Sequence, residues 1–241
     1  MKILSIGNSF SQDAQRYLKA IAHRQGDWFK CVNLYIGGCP LERHHANLLS
    51  DAKAYSFELG GESSGLLVSI REVLLSDNWD VVTLQQASHF SAYFDTYVPY
   101  IDVLAQEIRR CVPKAKLYIH QTWAYEEGSS RLQSQGEGKT HDSMFADVHA
   151  AYQQAAERIG ADGIIPGGEA MHAAYKAGVK PMYRDGFHAS LGLGRLLLGL
   201  TWYQTLTGKK VERADIELDE DVDEATRAKL IEISARISGV Q

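Results

Sequence analysis

Cysteine and proline are scarce in this chain of 241 residues, which has three cysteines and five prolines. The cysteines, Cys31, Cys39 and Cys111, are odd in number and form no CxxC pair, so we expect neither a disulfide framework nor a structural zinc site. The low proline content excludes a collagen-like chain, and the 45% hydrophobic content excludes a disordered one. The length favours one α/β domain spanning residues 1–241, with a core to about residue 208 and a packing tail at 209–241.

An excess of positive charge is also missing, as is a long apolar run. The net charge is −5, which argues against a nucleic-acid partner. No apolar stretch approaches the roughly 18–20 residues that a membrane span needs. Met1 and Lys2 lead straight into a strand-like segment and leave no room for a signal peptide, although a chain trimmed of its signal would look the same. We therefore expect a soluble, cytoplasmic protein with no membrane contact; its oligomeric state is open.

Strand-like segments alternate with helix-like segments along most of the chain. Strands are predicted at Lys2–Ile6, Phe29–Ile36, Asp80–Gln85, Lys116–Gln121 and Gly163–Ile165, and helices at Ser11–Arg24, Gly65–Ser76, Tyr97–Arg110, Asp142–Ile159 and Leu191–Thr207. This alternation predicts a parallel five-stranded sheet covered by helices on both faces. Residues Ala54–Glu62 are predicted to form a small hairpin or excursion. Ligands of such sheets bind at the carboxyl ends of the strands, so we expect the functional site there.

A serine stands at that edge in the segment Gly7–Ser11 (GNSFS), directly after the first predicted strand. The position places the Ser9 hydroxyl at the end of the strand and its N–H near a helix N-terminus, where a developing oxyanion is stabilised. The alternative is that serine and asparagine only cap the helix. A nucleophilic Ser9 requires a base from elsewhere in the chain.

A candidate base and its orienting carboxylate stand together near the other end, in Asp185–His188 (DGFH). An aspartate three residues before a histidine can hold the imidazole through Nδ1 and leave Nε2 free to take a serine proton. No other aspartate in the sequence has a histidine three residues later. The alternative is a surface turn with a helix-capping histidine.

The two blocks together resemble the SGNH (GDSL-type) serine hydrolase superfamily, over about Met1 to Gly208. The resemblance implies that Ser9 is the nucleophile, His188 the base and Asp185 its partner. It also implies an oxyanion hole formed by the backbone N–H groups of Ser9 and Gly38. The order and position of the blocks carry this resemblance, since Asn8 replaces the aspartate usual in the first block.

The third block departs from the pattern of the superfamily. Leu84–His89 (LQQASH) stands where most members have Gly-x-Asn, and it looks like the ending found in sialate and carbohydrate O-acetylesterases. The implied third oxyanion donor is the amide of Gln85, with His89 as the alternative. The run Asp185–Gly208 (DGFHASLGLGRLLLGLTWYQTLTG), with Gln121–Tyr125 (QTWAY) after the fourth predicted strand, also resembles a sparsely characterised bacterial branch of the superfamily.

These observations predict a flavodoxin-like three-layer α/β/α protein that is a serine esterase. We expect it to hydrolyse an O-acyl, specifically O-acetyl, ester of a small polar or carbohydrate substrate, without metal or organic cofactor. Phe10, Trp123 and Tyr125 are candidates for substrate contacts, with core packing as the alternative. The polar segment Glu126–Thr140 is predicted to lie at the rim and select the substrate, or else to be a mobile insertion. The remaining alternatives are a non-catalytic ligand-binding protein of the same fold and a flavin or nucleotide binder.

Overall fold

Seven strands form one sheet in the computed structural model, which describes residues 1–240. The strands are Lys2–Gly7 (β1), Lys30–Tyr35 (β2), Tyr55–Leu59 (β3), Glu62–Val68 (β4), Val81–Leu84 (β5), Lys116–His120 (β6) and Gly163–Ile165 (β7). Their order is β4-β3-β2-β1-β5-β6-β7, and the five strands from β2 to β7 in that order run parallel. The predicted parallel sheet and its flavodoxin-like order are confirmed, and β1 lies at its centre.

The predicted strand count of five is corrected to seven by an antiparallel hairpin at one edge. Strands β3 and β4 pair with each other, and β3 pairs with β2. Gly60 and Gly61 join them with positive φ angles of 58° and 80°, a conformation that hairpin turns favour and that glycine adopts freely. The prediction of a helix from Gly65 was therefore wrong, because its first turn belongs to β4. Only Ile70–Leu74 is helical there.

Ten α-helices accompany the sheet within residues 1–240. They are Ser9–Gln15 (α1), Leu18–Arg24 (α2), Leu41–Ser50 (α3), Ile70–Leu74 (α4), Tyr100–Cys111 (α5), Ser130–Gln133 (α6), His141–Ile159 (α7), Gly167–Lys176 (α8), Leu193–Thr207 (α9) and Glu224–Ser238 (α10). Helix α9 packs against α1, α2, α8 and α10, while α5 packs against α3, α4 and α7. These two groups form the outer layers of an α/β/α sandwich.

The apolar helix α9 is the centre of its layer. Its segment Leu196–Leu200 is buried, which explains why it is hydrophobic on every face. Gly199 allows the close approach to α2, since a Cβ there would lie 2.9 Å from Cδ1 of Ile21. No helix in the part of the chain that the structure describes combines the length and hydrophobicity of a membrane span.

Candidate active site

The turn between β1 and α1 presents Ser9 at the carboxyl edge of the sheet. Gly7 must be glycine, because a Cβ there would lie 2.1 Å from the Ser11 hydroxyl. Asn8 caps α1: its side-chain oxygen accepts from the N–H of Phe10 at 3.0 Å. Ser11 completes a capping box, its hydroxyl accepting from the N–H of Asn8 at 3.1 Å. Capping is therefore performed by the neighbours of Ser9, and the Ser9 hydroxyl is left for another partner.

That partner is His188. Its Nε2 lies 2.9 Å from the Ser9 hydroxyl oxygen, and its Nδ1 lies 2.6 Å from a carboxylate oxygen of Asp185. The other Asp185 oxygen accepts from the backbone N–H of His188 at 2.8 Å. Burial opposes ionisation of the Asp185 carboxyl, but the hydrogen bonds from His188 outweigh it and hold the pKa of Asp185 below its ordinary value. The structure thus brings the three residues predicted from two distant blocks into one hydrogen-bonded chain.

The loop that carries Asp185 and His188 is held by tight contacts on two sides. Gly186 has a φ of 85°, and a Cβ there would lie 2.8 Å from the Ser129 side chain, so this position requires glycine. The indole N–H of Trp123 donates to the carbonyl of Phe187 at 2.8 Å. The N–H of Glu126 donates to the carbonyl of Gly186 at 2.8 Å. The spacing of Asp185 and His188 is consequently fixed by their surroundings.

A buried ion-pair cluster joins this loop to helix α1, which carries Ser9. Asp13, four residues after Ser9 on α1, is fully buried. Its carboxylate accepts from Arg184 at 3.0 and 2.9 Å and from Arg195 of α9 at 2.9 Å. Arg184 immediately precedes Asp185. Asp13 therefore ties the element that carries Ser9 to the loop that carries His188.

A cavity of about 380 Å³ opens beside Ser9 and His188. The residues that line it are Asn8, Ser9, Phe10, Gln12, Tyr35, Gly37, Gly38, Ser88, His89, Tyr125, Arg131, Arg184, Phe187 and His188. Gly38 has a φ of 60°, which turns the backbone after β2 toward the site. Ser9 is the first residue of α1, so its N–H is among those that the helix leaves without an internal partner. Ser9 and Gly38, the residues of the two predicted backbone donors, thus line one cavity.

Gln85 lies behind the cavity and does not line it. Its side chain is buried, donating from Nε2 to the Asn8 side-chain oxygen at 2.7 Å and accepting at Oε1 from Nδ1 of His120, 2.9 Å away. Burial lowers the pKa of His120 to about 3, so this imidazole is neutral and donates from Nδ1. Gln85 therefore supports Asn8. Of the two candidates for third oxyanion donor, the structure places His89 on the cavity wall.

The three predicted aromatic contacts divide between the cavity and the core. Phe10 and Tyr125 line the cavity, although both are largely buried. Trp123 is fully buried and stacks on Phe10 with ring centroids 4.2 Å apart, so it packs behind the wall. The lining residue Arg131 was not among the predicted site residues, and only its place in the rim segment 126–140 pointed to it. Arg184 was not predicted either.

No set of three or more His, Cys, Asp or Glu side chains within residues 1–240 is arranged to hold a metal ion.

Comparison with solved structures confirms the SGNH hydrolase fold. A DUF4886 family protein from Bacteroides uniformis superposes with a TM-score of 0.91 and 31% identity, over 100% of this chain and 96% of that chain. A candidate SGNH hydrolase from Slackia heliotrinireducens gives 0.61 and 25%, over 86% and 98% of the two chains. The acetyl xylan esterase AlAXEase gives 0.55 and 14%, over 86% and 100%.

A search of curated proteins gave no match. The model of one family, described as a domain of unknown function (DUF4886), matches residues 2–235. Because the match covers nearly the whole sequence and agrees with the similarity to the Bacteroides uniformis protein, the chain belongs to the DUF4886 family.

Proposed function

We propose that this protein is a serine ester hydrolase that uses Ser9, His188 and Asp185 as a catalytic triad. The hydrogen-bonded chain from the Ser9 hydroxyl through the His188 ring to the Asp185 carboxylate, facing a cavity, carries this proposal. The hydrolase fold and the similarity to the Slackia protein support it. A serine hydroxyl becomes a nucleophile when a positioned base accepts its proton, and this geometry supplies the base.

In the first half-reaction, Ser9 Oγ attacks the ester carbonyl carbon while His188 Nε2 takes the hydroxyl proton. The negative charge develops on the carbonyl oxygen, which the N–H groups of Ser9 and Gly38 bind. The carbon–oxygen bond to the alcohol then breaks, and His188 gives its proton to the leaving oxygen. Ser9 is left acylated. Asp185 stays ionised and stabilises the imidazolium formed in between.

In the second half-reaction, a water molecule takes the place of the alcohol. His188 removes a proton from the water as its oxygen attacks the acyl carbon, and the same N–H groups bind the new oxyanion. Collapse of this intermediate breaks the bond to Ser9 and returns the proton to its oxygen. The products are a carboxylic acid and an alcohol.

The cavity favours a short acyl chain on a polar alcohol, in keeping with an acetylated small molecule or carbohydrate. Its volume of about 380 Å³ lies at the low end of small-molecule sites. Polar groups of Gln12, Ser88, His89 and the two arginines share its wall with only a few aromatic rings. An extended apolar channel for a long fatty acyl chain would need a larger hydrophobic surface than these residues offer.

The test is a panel of p-nitrophenyl esters, from acetate to octanoate, hydrolysed by the unaltered protein and by Ser9→Ala. We expect kcat/KM to be highest for acetate and Ser9→Ala to lose a factor of about 10³ or more, as triads do. Ser88→Ala is the matched control, because it removes another hydroxyl of the cavity that bonds to Tyr125 at 2.9 Å and not to an imidazole. Hydrolysis that survives Ser9→Ala would contradict the proposal, and a preference for octanoate would contradict the short acyl chain.

A further inference from the structure

The charged side chains that line the cavity are positive, whereas the net charge of the whole chain is negative. Among its lining residues, Arg131 and Arg184 carry permanent positive charges, and no aspartate or glutamate of residues 1–240 lines it. The chain as a whole has a net charge of −5. A positive cleft on an acidic protein attracts anionic ligands and repels cationic ones.

The two arginines are not equivalent. Arg184 donates to the buried carboxylate of Asp13 and to the carbonyl of Ala189, so its charge is balanced within the protein. Arg131 forms no ion pair with any carboxylate of the described chain. Its guanidinium instead lies over the Phe187 ring, 4.5 Å from the centroid, which orients the group by a cation–π contact. Arg131 is therefore the charge in the cavity that is available to a ligand.

The segment that carries Arg131 is fixed at the rim. Helix α6 is capped by Ser129, whose hydroxyl accepts from the N–H of Leu132 at 3.2 Å, and the Leu132 side chain is buried. The Tyr93 hydroxyl donates to the carbonyl of Gln135 at 3.1 Å and anchors the far end of the segment. Together with the Glu126–Gly186 contact, these bonds hold the segment over the catalytic loop. Arg131 lines the cavity, so the segment reaches the rim as predicted, and the short helix α6 gives its middle part regular structure.

The position of Arg131 identifies the part of the substrate that it meets. The imidazole that takes the serine proton also protonates the leaving alcohol, so the alcohol lies on the His188 side of Ser9. The carbonyl oxygen faces the N–H groups on the Gly38 side. The ring centroids of Phe187 and His188 lie 3.9 Å apart, and the Arg131 guanidinium lies over the Phe187 ring. Arg131 thus stands on the His188 side of Ser9, where the alcohol leaves.

We propose that the alcohol part of the substrate carries a carboxylate or phosphate group, which the guanidinium of Arg131 binds. This inference rests on the proposed esterase function, because the side of the cavity is assigned from the direction of proton transfer. The planar fork of arginine matches both anions with two parallel hydrogen bonds. The natural substrate is then an acylated hydroxy acid, sugar acid or phosphorylated alcohol, and neutral acyl sugars are poorer substrates.

The test compares three phenyl acetates that carry a carboxylate, a phosphate monoester or a carboxamide in the para position. In Arg131→Gln we expect kcat/KM to fall about 10-fold to 100-fold on an anionic ester, the factor that a charge-assisted hydrogen bond is worth. The value for the carboxamide should stay near that of the unaltered protein. The anionic ester that depends more strongly on Arg131 identifies the anion. Lys139→Gln is the matched control, because it removes the same charge from the same segment at a residue paired with Asp147.

Binding to Ser9→Ala separates this inference from the proposed function. Titration calorimetry should show tighter binding of 4-acetoxybenzoate or 4-acetoxyphenyl phosphate than of 4-acetoxybenzamide, and adding Arg131→Gln should remove the preference. That result supports the anion site even if the protein hydrolyses none of the esters. Absence of hydrolysis would contradict only the esterase proposal. Equal affinity for charged and neutral esters in Ser9→Ala overturns the inference. So does an equal loss of kcat/KM on all three esters in Arg131→Gln, or a loss in Lys139→Gln as large as in Arg131→Gln.

Discussion

Replacement of Asp13 by asparagine tests how the fold holds Ser9 and His188 together. The substitution keeps the shape of the side chain and removes the charge that Arg184 and Arg195 share. Asp13 is fully buried, whereas the two arginine side chains are 28% and 14% exposed. The change therefore leaves two partly desolvated cations facing a neutral amide.

The expected loss of stability follows from that burial. Breaking a buried ion pair by removing one partner costs about 3–5 kcal/mol. The lower end of this range applies here, because Arg195 remains paired with Asp219 at 2.7 Å and Arg184 still donates to the carbonyl of Ala189. For a chain of this size, about 3 kcal/mol corresponds to a fall in Tm of about 6–12 °C. We also expect kcat to fall about 10-fold to 100-fold, since a displacement near 1 Å between nucleophile and base costs about that much.

The assay measures thermal unfolding and, well below the lowest Tm, kcat and KM on p-nitrophenyl acetate. Asp102→Asn is the matched control: Asp102 accepts three hydrogen bonds from Arg158 on the surface, where such a pair contributes only about 0–1 kcal/mol. If Asp13→Asn were no less stable than Asp102→Asn, the cluster would not stabilise the fold as argued. An unchanged kcat with a lowered Tm would show that Asp13 stabilises the protein without positioning the triad.

Three further substitutions probe the wall and the loop of the site. Gln85→Ala should lower stability by about 1–3 kcal/mol, because the buried N–H of His120 loses its acceptor; a kcat lowered 10²-fold at unchanged Tm would instead make Gln85 an oxyanion donor. Gly186→Ala should destabilise by about 1–3 kcal/mol and lower kcat, since its φ of 85° strains any other residue; kinetics and unfolding equal to those of the unaltered protein would refute this. Asp185→Asn should lower kcat by about 10³–10⁴. Because the pKa of Asp185 lies below its ordinary value, this carboxylate is ionised across the neutral range, so the loss of kcat in Asp185→Asn should be equally large throughout that range; kinetics equal to those of the unaltered protein would refute the role of Asp185.

The hydrogen-bonded arrangement of Ser9, His188 and Asp185 could be predicted from the sequence because each residue carries a local signal. Asp185 and His188 share one turn, and Ser9 follows the first strand of an alternating α/β pattern. Parallel strands bring their carboxyl ends to one edge, so topology alone joins two blocks separated by most of the chain. The bounds of the five parallel strands were predicted to within a residue or two, since buried parallel strands are short apolar runs bounded by polar residues.

Other features depend on contacts that leave no local trace. The bond between Asp13 and Arg184 joins residues 171 positions apart, and neither residue belongs to a recognisable pattern. Whether Gln85 or His89 faces the cavity is decided by the hydrogen bonds that hold the Gln85 side chain to Asn8 and to the buried His120. A hairpin was predicted at Ala54–Glu62, but the second half of β4 resembled a helix start because Leu66 and Leu67 are apolar, yet both are exposed on an edge strand.

The central claim is that Ser9 is an activated nucleophile, and covalent labelling tests it most directly. The protein is treated with a fluorophosphonate, and the modified residue is located by mass spectrometry of its peptides. We predict a single adduct on Ser9 that is lost in Ser9→Ala, forms far more slowly in His188→Ala and persists in Ser88→Ala, because only Ser9 has an imidazole 2.9 Å from its hydroxyl. Folded protein that does not react, or an adduct that remains when Ser9 is replaced, would contradict the claim and favour a ligand-binding protein that has the hydrolase fold without its chemistry.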